Sequence, residues 1–360
     1  MNNNTIVYVT LLSLITFTSF GQDKKFTGYA TSTVTSSAIS IETVGFADKD
    51  NLQKYDSLSI QPIGSISKTF IGLSLMIAKE QGLIDLDTDI NTYLDFKVIN
   101  PHMDKNNVIT LRHLATHTSG IKDTKYYYKA YSKSTSPEMA LGEYLKKYLV
   151  EGLDYNSKKN YAKSKSGTRY EYSNVAATLA AYVLEKATGI PFHEFTKQHI
   201  LAPLGMKDSG WFYSDIDQSH HAKLYDEKDK VLQPYSLITY PDGNFKTSIR
   251  DLSIYLQALM KGYHRKSDLL SAVSWDELYR KNFSEENPIE NINPREPNSG
   301  IFIAYSKSGK IGHTGSDPGV VAIMWFSTNT NEGHIFMANE DLTKKNIDSF
   351  KNIWKDLSNN

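Results

Sequence analysis

The chain has 360 residues, with 40 Lys and Arg against 40 Asp and Glu, a formal net charge of +0 and no cysteine. Neutrality leaves no general attraction for nucleic acid or an anionic membrane. The lack of cysteine excludes disulfides, a thiol nucleophile, thiolate metal sites and a lipid-anchored N-terminal Cys, and 23 tyrosines within 12% aromatic content point to a packed core.

Residues 1–21 carry the apolar stretch IVYVTLLSLITFTSF before Gly21 and QDKK, the pattern of a secretory signal peptide. It is too short and too rich in Thr and Ser for a comfortable membrane span. The expectation is an exported protein, periplasmic or secreted, with one domain over 22–360. Within 27–47, YATSTVTS and AISIETVGF read as strands joined by a turn at Ser36 and Ser37. The segment GSISKTFIGLSLMIAKEQG (64–82) reads as a helix following Ser65. Its Phe70, Ile71, Leu73, Leu75, Met76 and Ile77 cover nearly the whole circumference, so it is expected to be buried on all sides, with Gly82 as its stop.

From about 83 to 262 the pattern is mostly helical. SNVAATLAAYVLEKATG starts at a capping Ser or Asn and ends at Gly189, and IPFHEFTKQHILAPLG has Pro191 at a first helical position. TSIRDLSIYLQALMKG carries a capping-box pattern from Ser248 to Asp251. The stretches 125–136 and 281–300 read as long surface loops. After 300 strands return in GIFIAYS, KIGHTG, VVAIMWFS and HIFMAN. A last helix places Ile347, Phe350, Trp354 and Leu357 on one face. The expected fold class is α+β: an antiparallel sheet built from both chain ends with helices packed on it, plus an inserted, mostly helical lobe. The sheet lobe is expected over about 22–82 and 240–360, the helical lobe over about 83–239.

Three short stretches carry candidate chemistry. A serine hydroxyl is a weak nucleophile and needs a base. A lysine can serve if burial brings its pKa down from about 10.4. Residues three apart share a helix face, so Ser65 meets Lys68 better than Ser67 does. A serine in a first turn also lies near free backbone N–H groups that can hold an oxyanion. The plainer reading is a helix cap with a solvated lysine. In YEYSNVA, Tyr172 and Asn174 lie two apart before a helix, and a tyrosine beside a lysine can give up its proton and act as base; alone, the stretch is a good cap. In GHTGSDPG (312–319), His313, Thr314 and Gly315 suit an edge strand whose glycines admit a substrate backbone, or else a hairpin with a surface histidine.

Other candidates are weaker. His113 and His117 read as structural, and the adjacent His220 and His221 as surface residues without metal-site spacing. No metal site and no cofactor are expected. There is no G-x-S-x-G. Tyr126, Tyr127, Tyr128 and Tyr131 either line a cleft mouth or form an amphipathic surface segment.

In this order the three motifs resemble the serine β-lactamase and penicillin-recognising peptidase superfamily, closest to its class C-like branch. Tyr-x-Asn stands in place of Ser-Asp-Asn, and His-Thr-Gly in place of Lys-Thr-Gly. Further similar segments are ITLRHLATHTSG, ILAPLGMKDSGW, YPDGNFKTSIRDLSIYLQALMKG and MANED. The resemblance implies Ser65 as the acylated nucleophile, Lys68 and Tyr172 as proton carriers, and Asn174 as the group orienting the acyl amide. It implies His313, Thr314 and Gly315 as a strand wall, and the backbone N–H groups of Ser65 and Ser316 as an oxyanion hole. Two departures stand out. The family's helix before the first strand has no room in residues 22–26, and histidine replaces the common lysine at 313. If His313 reads a substrate carboxylate, its unperturbed pKa of about 6.5 would weaken that contact within the working range.

The expected function is an exported serine acyl hydrolase working through a Ser65 acyl-enzyme on D-amino-acid peptides or small esters and amides. The runner-up is a class C-type β-lactamase. The rival of another class is a non-catalytic penicillin-binding or sensor-like protein. The expected partner is a small-molecule or peptide substrate, with no nucleic acid and no membrane span in the mature chain; the oligomeric state is left open.

Overall fold

The computed structural model describes residues 26–104 and 106–358, so the stretch 1–21 lies outside the described residues. The chain begins with strands β1 (Gly28–Val34), β2 (Ile39–Asp48) and β3 (Gln53–Lys54). β4 (Ile60–Pro62) leads through a 3-10 turn, Gly64–Ser67, into helix α1 (Lys68–Glu80). The middle holds α2 (Leu111–Ala115), β5 (Tyr131–Ser132), α3 (Leu141–Leu149), α4 (Asn174–Thr188), α5 (Phe192–Thr196) and α6 (Ala202–Leu204). β6 (Ser209–Gly210), β7 (Ser236–Leu237) and β8 (Lys246–Ser248) precede α7 (Ile249–Tyr263) and α8 (Ala272–Tyr279). β9 (Asn298–Ser299), β10 (Ala304–Tyr305), β11 (Ile311–Asp317), β12 (Val320–Ser327) and β13 (Glu332–Ala338) follow, and α9 (Ile347–Ser358) comes last.

The main sheet runs β3-β2-β1-β13-β12-β11-β10-β9. Its neighbours are antiparallel, with Tyr29 of β1 opposite Ala338 of β13 and Gly315 of β11 opposite Ala322 of β12. The expected α+β architecture is therefore present: both chain ends build one sheet, and the helical middle is inserted between them. β4, β8 and β6 form a small second sheet beside the start of α1.

Period-two alternation lets both faces of the central strands of the main sheet be covered, whereas most of β2 stays exposed or half-buried. On the inner face Ser253 of α7 donates to Ser32 of β1 at 2.8 Å. On the outer face Val321, Phe336 and Ala338 pack with Phe26, Phe350 and Trp354. The rings of Phe26 and Phe350 lie 5.5 and 5.3 Å from that of Phe336. With β1 starting at Gly28, the last helix and Phe26 cover this patch.

α1 is buried from Lys68 to Ala78, as its all-round apolar pattern requires. Phe70, two residues after Lys68, is fully buried, stacks on Tyr255 of α7 at 3.9 Å and lies 4.3 Å from Phe245. This anchors the first turn of α1 to the element that follows β8. α4 starts at Ser173, whose hydroxyl accepts from Ala176 N, and ends at Gly189 in the left-handed region. At α7 only half of the expected capping box forms. Ser248 accepts from Asp251 N, but the Asp251 carboxylate accepts from Asp208 N and Ser209 Oγ, tying β6 to the helix start. Pro191 is the N-cap of α5, one position before the helical residues.

Neither long loop is wholly superficial. Residues 125–136 include a 3-10 turn and β5, with Tyr127 and Ala130 buried, and 281–300 buries Phe283 and Ile289. His221 is half-buried against Tyr213, with ring centres 4.9 Å apart, rather than on the open surface.

Phe70→Ala is expected to lower unfolding stability by about 3–5 kcal/mol, because a stacked ring in the core leaves a cavity that its neighbours fill only in part. Urea denaturation checks it; a loss below about 1 kcal/mol would contradict the anchoring role.

Candidate active site

Ser65 lies in the 3-10 turn rather than in α1 itself. That geometry eclipses residues three apart, and Lys68 Nζ donates to Ser65 Oγ at 2.9 Å. Ser67 is committed elsewhere: its hydroxyl donates to Gly64 O at 2.6 Å and accepts from Phe245 N at 3.2 Å. The turn needs a glycine at its first position. Gly64 has φ +53, and a Cβ there would sit 2.6 Å from Ser316 N.

Lys68 is completely buried. Besides Ser65 its ammonium donates to Asn174 Oδ1 and to the backbone oxygen of Asp242, both at 2.7 Å. Burial lowers its pKa to about 8, against an upward pull from Asp242, Asp123 and Asp317. A neutral amine has two N–H donors and one lone pair. With Asn174 and Asp242 taking the two donors, the lone pair faces the Ser65 hydroxyl.

Asn174 is the first residue of α4, and its amide is held from both ends. Its oxygen faces Lys68, and its Nδ2 donates to Asp123 Oδ2 at 2.8 Å. Asp123 also accepts from Asn174 N at 2.9 Å, Val175 N at 3.1 Å and Ser173 Oγ at 2.8 Å. It thus closes the open N–H groups of the α4 terminus. Asp242 is buried, accepts from Tyr127 OH and Thr178 Oγ1 at 3.0 Å each, and has its pKa raised to about 6 by burial.

Tyr172 packs tilted by 34° against His117 with ring centres 4.3 Å apart, and its ring centre is 5.1 Å from Lys68 Nζ. The ring is 38% exposed, yet burial of the phenol pushes its pKa up, and the nearby Ser65 hydroxyl pulls it down by less. It does not match the expectation of a tyrosine that loses its proton easily. His117 is the structural residue anticipated. It is buried, accepts from Ser173 N at Nδ1 (3.3 Å), and burial holds its pKa well below the usual value.

β11 forms one wall. β10 pairs only with Ile311 and Gly312, so the edge from His313 to Asp317 is not covered by β10. The 3-10 turn packs against it instead: a Cβ on Gly315 would lie 1.9 Å from Ile63 O and 3.1 Å from Ser65 N. This apposition sets the backbone around Ser65 close to that of Gly315 and Ser316. Side chains alternate along the strand. His313 and Gly315 face inward, whereas Thr314 and Ser316 turn exposed side chains to the other face. Thr314 therefore joins the wall through its backbone. His313 is nearly buried, with Nδ1 2.6 Å from Thr314 O. A carbonyl only accepts, so Nδ1 carries the hydrogen and Nε2 is left as an acceptor. Burial, with Lys68 adding to it, lowers the His313 pKa to about 4, so the charge expected near pH 6.5 is already lost.

Ser65, Lys68, Asn174 and Tyr172 thus lie together beside the strand that carries His313 and Gly315, while Thr314 and Ser316 turn their side chains away. Sequence reasoning missed Asp123 and Asp242, whose partners lie far away in the chain. YPDGNF was the only signal for Asp242. Among the described residues no cluster of His, Asp and Glu has a metal-binding arrangement, and no helix is long and apolar enough to cross a membrane.

A family model described as Beta-lactamase matches residues 16–355. The chain is 22% identical over 352 residues to penicillin-binding protein 4* of Bacillus subtilis (strain 168), covering 90% of this chain and 70% of the relative. It is 26% identical over 234 residues to a beta-lactamase of Pseudomonas fluorescens, covering 64% of this chain and 59% of that one. The chain spans only about half the length of other curated relatives, 52% and 56% for two of them. Among solved structures, a beta-lactamase/D-alanine carboxypeptidase from Pseudomonas syringae superposes with TM-score 0.68 at 18% identity, covering 89% of this chain and 90% of that one. A D-amino acid amidase from Ochrobactrum anthropi SV3 gives TM-score 0.69 at 20% identity, covering 89% and 88%. At these identities the superpositions show the fold.

Lys68 fixes a pH dependence of stability. With a folded pKa of about 8 below its ordinary 10.5, the unfolded chain holds more protons between those values, so this group makes stability rise with pH there. Wild type is expected to gain about 2 kcal/mol relative to Lys68→Met between pH 7.5 and 9.5. Urea denaturation of both proteins at the two pH values checks this; parallel behaviour would contradict the buried, depressed lysine.

Proposed function

The chain belongs to the beta-lactamase family, whose model covers most of its length, and from that premise we propose that it is an exported serine acyl hydrolase acting on D-amino-acid peptides or small esters and amides. The single observation that carries this reading is the hydrogen bond between Lys68 Nζ and Ser65 Oγ, made by a lysine with nowhere else to place its lone pair.

In this reading neutral Lys68 takes the Ser65 proton as Oγ adds to the substrate carbonyl carbon. The oxyanion sits between the N–H groups of Ser65 and Ser316, whose backbones are pressed together by Gly64 and Gly315. The carbon–leaving-group bond then breaks. The proton on Lys68 passes through the Tyr172 hydroxyl to the departing atom. Tyr172 remains a neutral phenol between transfers, in line with its raised pKa. Water, giving its proton along the same path, attacks the ester and frees Ser65. Asn174, clamped by Asp123, keeps the Lys68 amine aimed and leaves its outer edge to the acyl amide. The apolar stretch at 1–21 supports export.

His313 favours peptides, esters and amides over carboxylate-anchored β-lactams, because a neutral imidazole offers no charge to an anion. Between pH 5.5 and 8.5 the ratio of kcat/KM for a carboxylate-bearing peptide to that for a neutral ester of similar size is therefore expected to stay flat. In His313→Lys the ratio should rise by about tenfold, the scale of one added charge contact. A wild-type ratio that falls through pH 6–7 would contradict the neutral ring.

A fluorescent penicillin or fluorophosphonate, followed in time and located by mass spectrometry, tests the acyl-enzyme. The label is expected on Ser65, absent from Ser65→Ala, kept in Ser67→Ala, and cleared by turnover. An adduct on Ser67 would sink the assignment, and a permanent penicillin label would favour a penicillin-trapping protein. Lys68→Ala and Tyr172→Phe should each lower turnover by at least about 10²-fold, with strongly non-additive effects in the double variant.

A further inference from the structure

The main sheet ends on one side at β3, which covers only part of β2. It pairs with Phe46 and Asp48. Among the described residues, no backbone group meets the outer edge of β2 from Ile39 to Val44. Hydrogen-bond parity says which groups point outward there. Thr35 N donates to Ala38 O at 2.8 Å across the hairpin turn, and the register that follows sets Ile39 opposite Val34 and Ile41 opposite Ser32. Bonded and non-bonded pairs alternate along an antiparallel ladder. Ala38, Ser40, Glu42 and Val44 therefore bond to β1, whereas Ile39, Ile41 and Thr43 turn their N–H and C=O groups away from it. Gly45 agrees with this parity: its carbonyl accepts from Tyr55 N, on the side away from β1, at 3.0 Å.

Folded proteins blunt such edges with lysine, proline, a bulge or a very short strand. The free stretch, ISIETV, holds neither lysine nor proline. Its one charge is Glu42, and the irregularity between Phe46 and Asp48 falls beyond it. Every residue in it is exposed or half-buried. A second copy of the same strand fits this edge in one register. Pairing about a two-fold axis sets side chains of one face against each other. A centre between two residues would set outward groups against groups already bonded to β1. Centring on Glu42 opposes the two carboxylates, which is destabilising. Centres nearer either end leave Ile39 or Thr43 without a counterpart. Centring on Ile41 sets Ile41 against Ile41, Ile39 against Thr43 and Ser40 against Glu42, and joins the outward groups in about six hydrogen bonds. The other end of the sheet is β9, only two residues long, so pairing does not continue from there.

We propose that the chain forms a two-fold dimer in solution by antiparallel pairing of β2 with β2 of a second copy, in register on Ile41, so that two eight-stranded sheets become one. The candidate active site stays open in this dimer. β1, β13 and β12 separate β2 from β11, a spacing of about 19 Å at roughly 4.8 Å per strand.

Single thiols read the register directly, because the chain has no cysteine of its own. Cα atoms of a bonded antiparallel pair lie about 5.5 Å apart, within disulfide reach. Under mild oxidation Ile41→Cys is expected to give a disulfide-linked dimer on a non-reducing gel. Ile39→Cys and Thr43→Cys should each stay unlinked alone, about 13 Å from the same position in the other copy, and should link to each other when the two proteins are mixed. Failure of Ile41→Cys to link, or linking of Thr43→Cys alone as readily, overturns the proposal. Sedimentation equilibrium of the unaltered chain should show the mean mass rising from one copy toward two over about 1–200 µM, the range of a small, transient interface. Ile41→Pro removes an outward N–H and no bond to β1, a change that edge strands tolerate, and is expected to hold the mass at one copy throughout. A wild-type mass of one copy over the whole range overturns the proposal, whether or not the Ile41→Pro chain folds. A dimer that survives Ile41→Pro overturns it too, as does growth beyond two copies.

Discussion

Everything at the candidate site follows from placing one ammonium group where water cannot reach it. A buried lysine is tolerated only if each of its hydrogens meets an acceptor. Here the acceptors come from three distant parts of the chain: the turn before α1, the start of α4 and the loop before β8. Each must be held rigidly, and the surrounding structure supplies the holding. Asp123 fixes Asn174 by gripping the α4 terminus. Tyr127 and Thr178 fix the Asp242 side chain, whose backbone oxygen then faces Lys68. Phe70 ties the lysine's own helix to Tyr255 and Phe245. The depressed pKa is thus a property of the fold, set by burial first and moderated by three carboxylates that lie around it.

The parts of this arrangement that were legible in the chain are those encoded over short distances. Ser65 and Lys68 are three residues apart, so local helical geometry decides their contact. The cap at Ser173, the stop at Gly189 and the buried circumference of α1 are likewise local patterns. The sheet was legible from strand-like runs at both ends, because only antiparallel pairing of those ends gives them a common core. The Asp123 clamp was not legible, since it acts 51 positions away on α4. The Asp242 oxygen is 174 positions from Lys68, and a backbone carbonyl leaves no trace in residue type. The titration of His313 was misjudged for a related reason: its ring reads as an ordinary histidine until burial and the Lys68 charge are placed beside it. Asp251 shows the same limit, where a cap pattern gave way to a tether on Asp208 and Ser209.

Two carboxylates near Ser65 now divide the surroundings by function. Asp123 is saturated with hydrogen bonds and acts on geometry alone. Asp317, buried at the end of β11, takes a hydrogen bond from Tyr131 and has its pKa raised by burial. His313, neutral on the other side, makes the cleft electrically lopsided.

The joining of both chain ends in one sheet also bears on how the protein is made. β1 pairs with β13, and Thr27 N donates to Glu340 across 313 positions. Closing so long a loop is slow relative to forming local helices. A chain emerging residue by residue from the ribosome therefore carries β1 to β3 as an unsupported meander until β11 to β13 arrive. Ser65 and Lys68 are synthesised early, yet the strand that presses on their turn comes only after residue 310. Fragments that stop short of β13 lack the strand that joins β1 to β12, so the sheet closes only once nearly the whole polypeptide has been made.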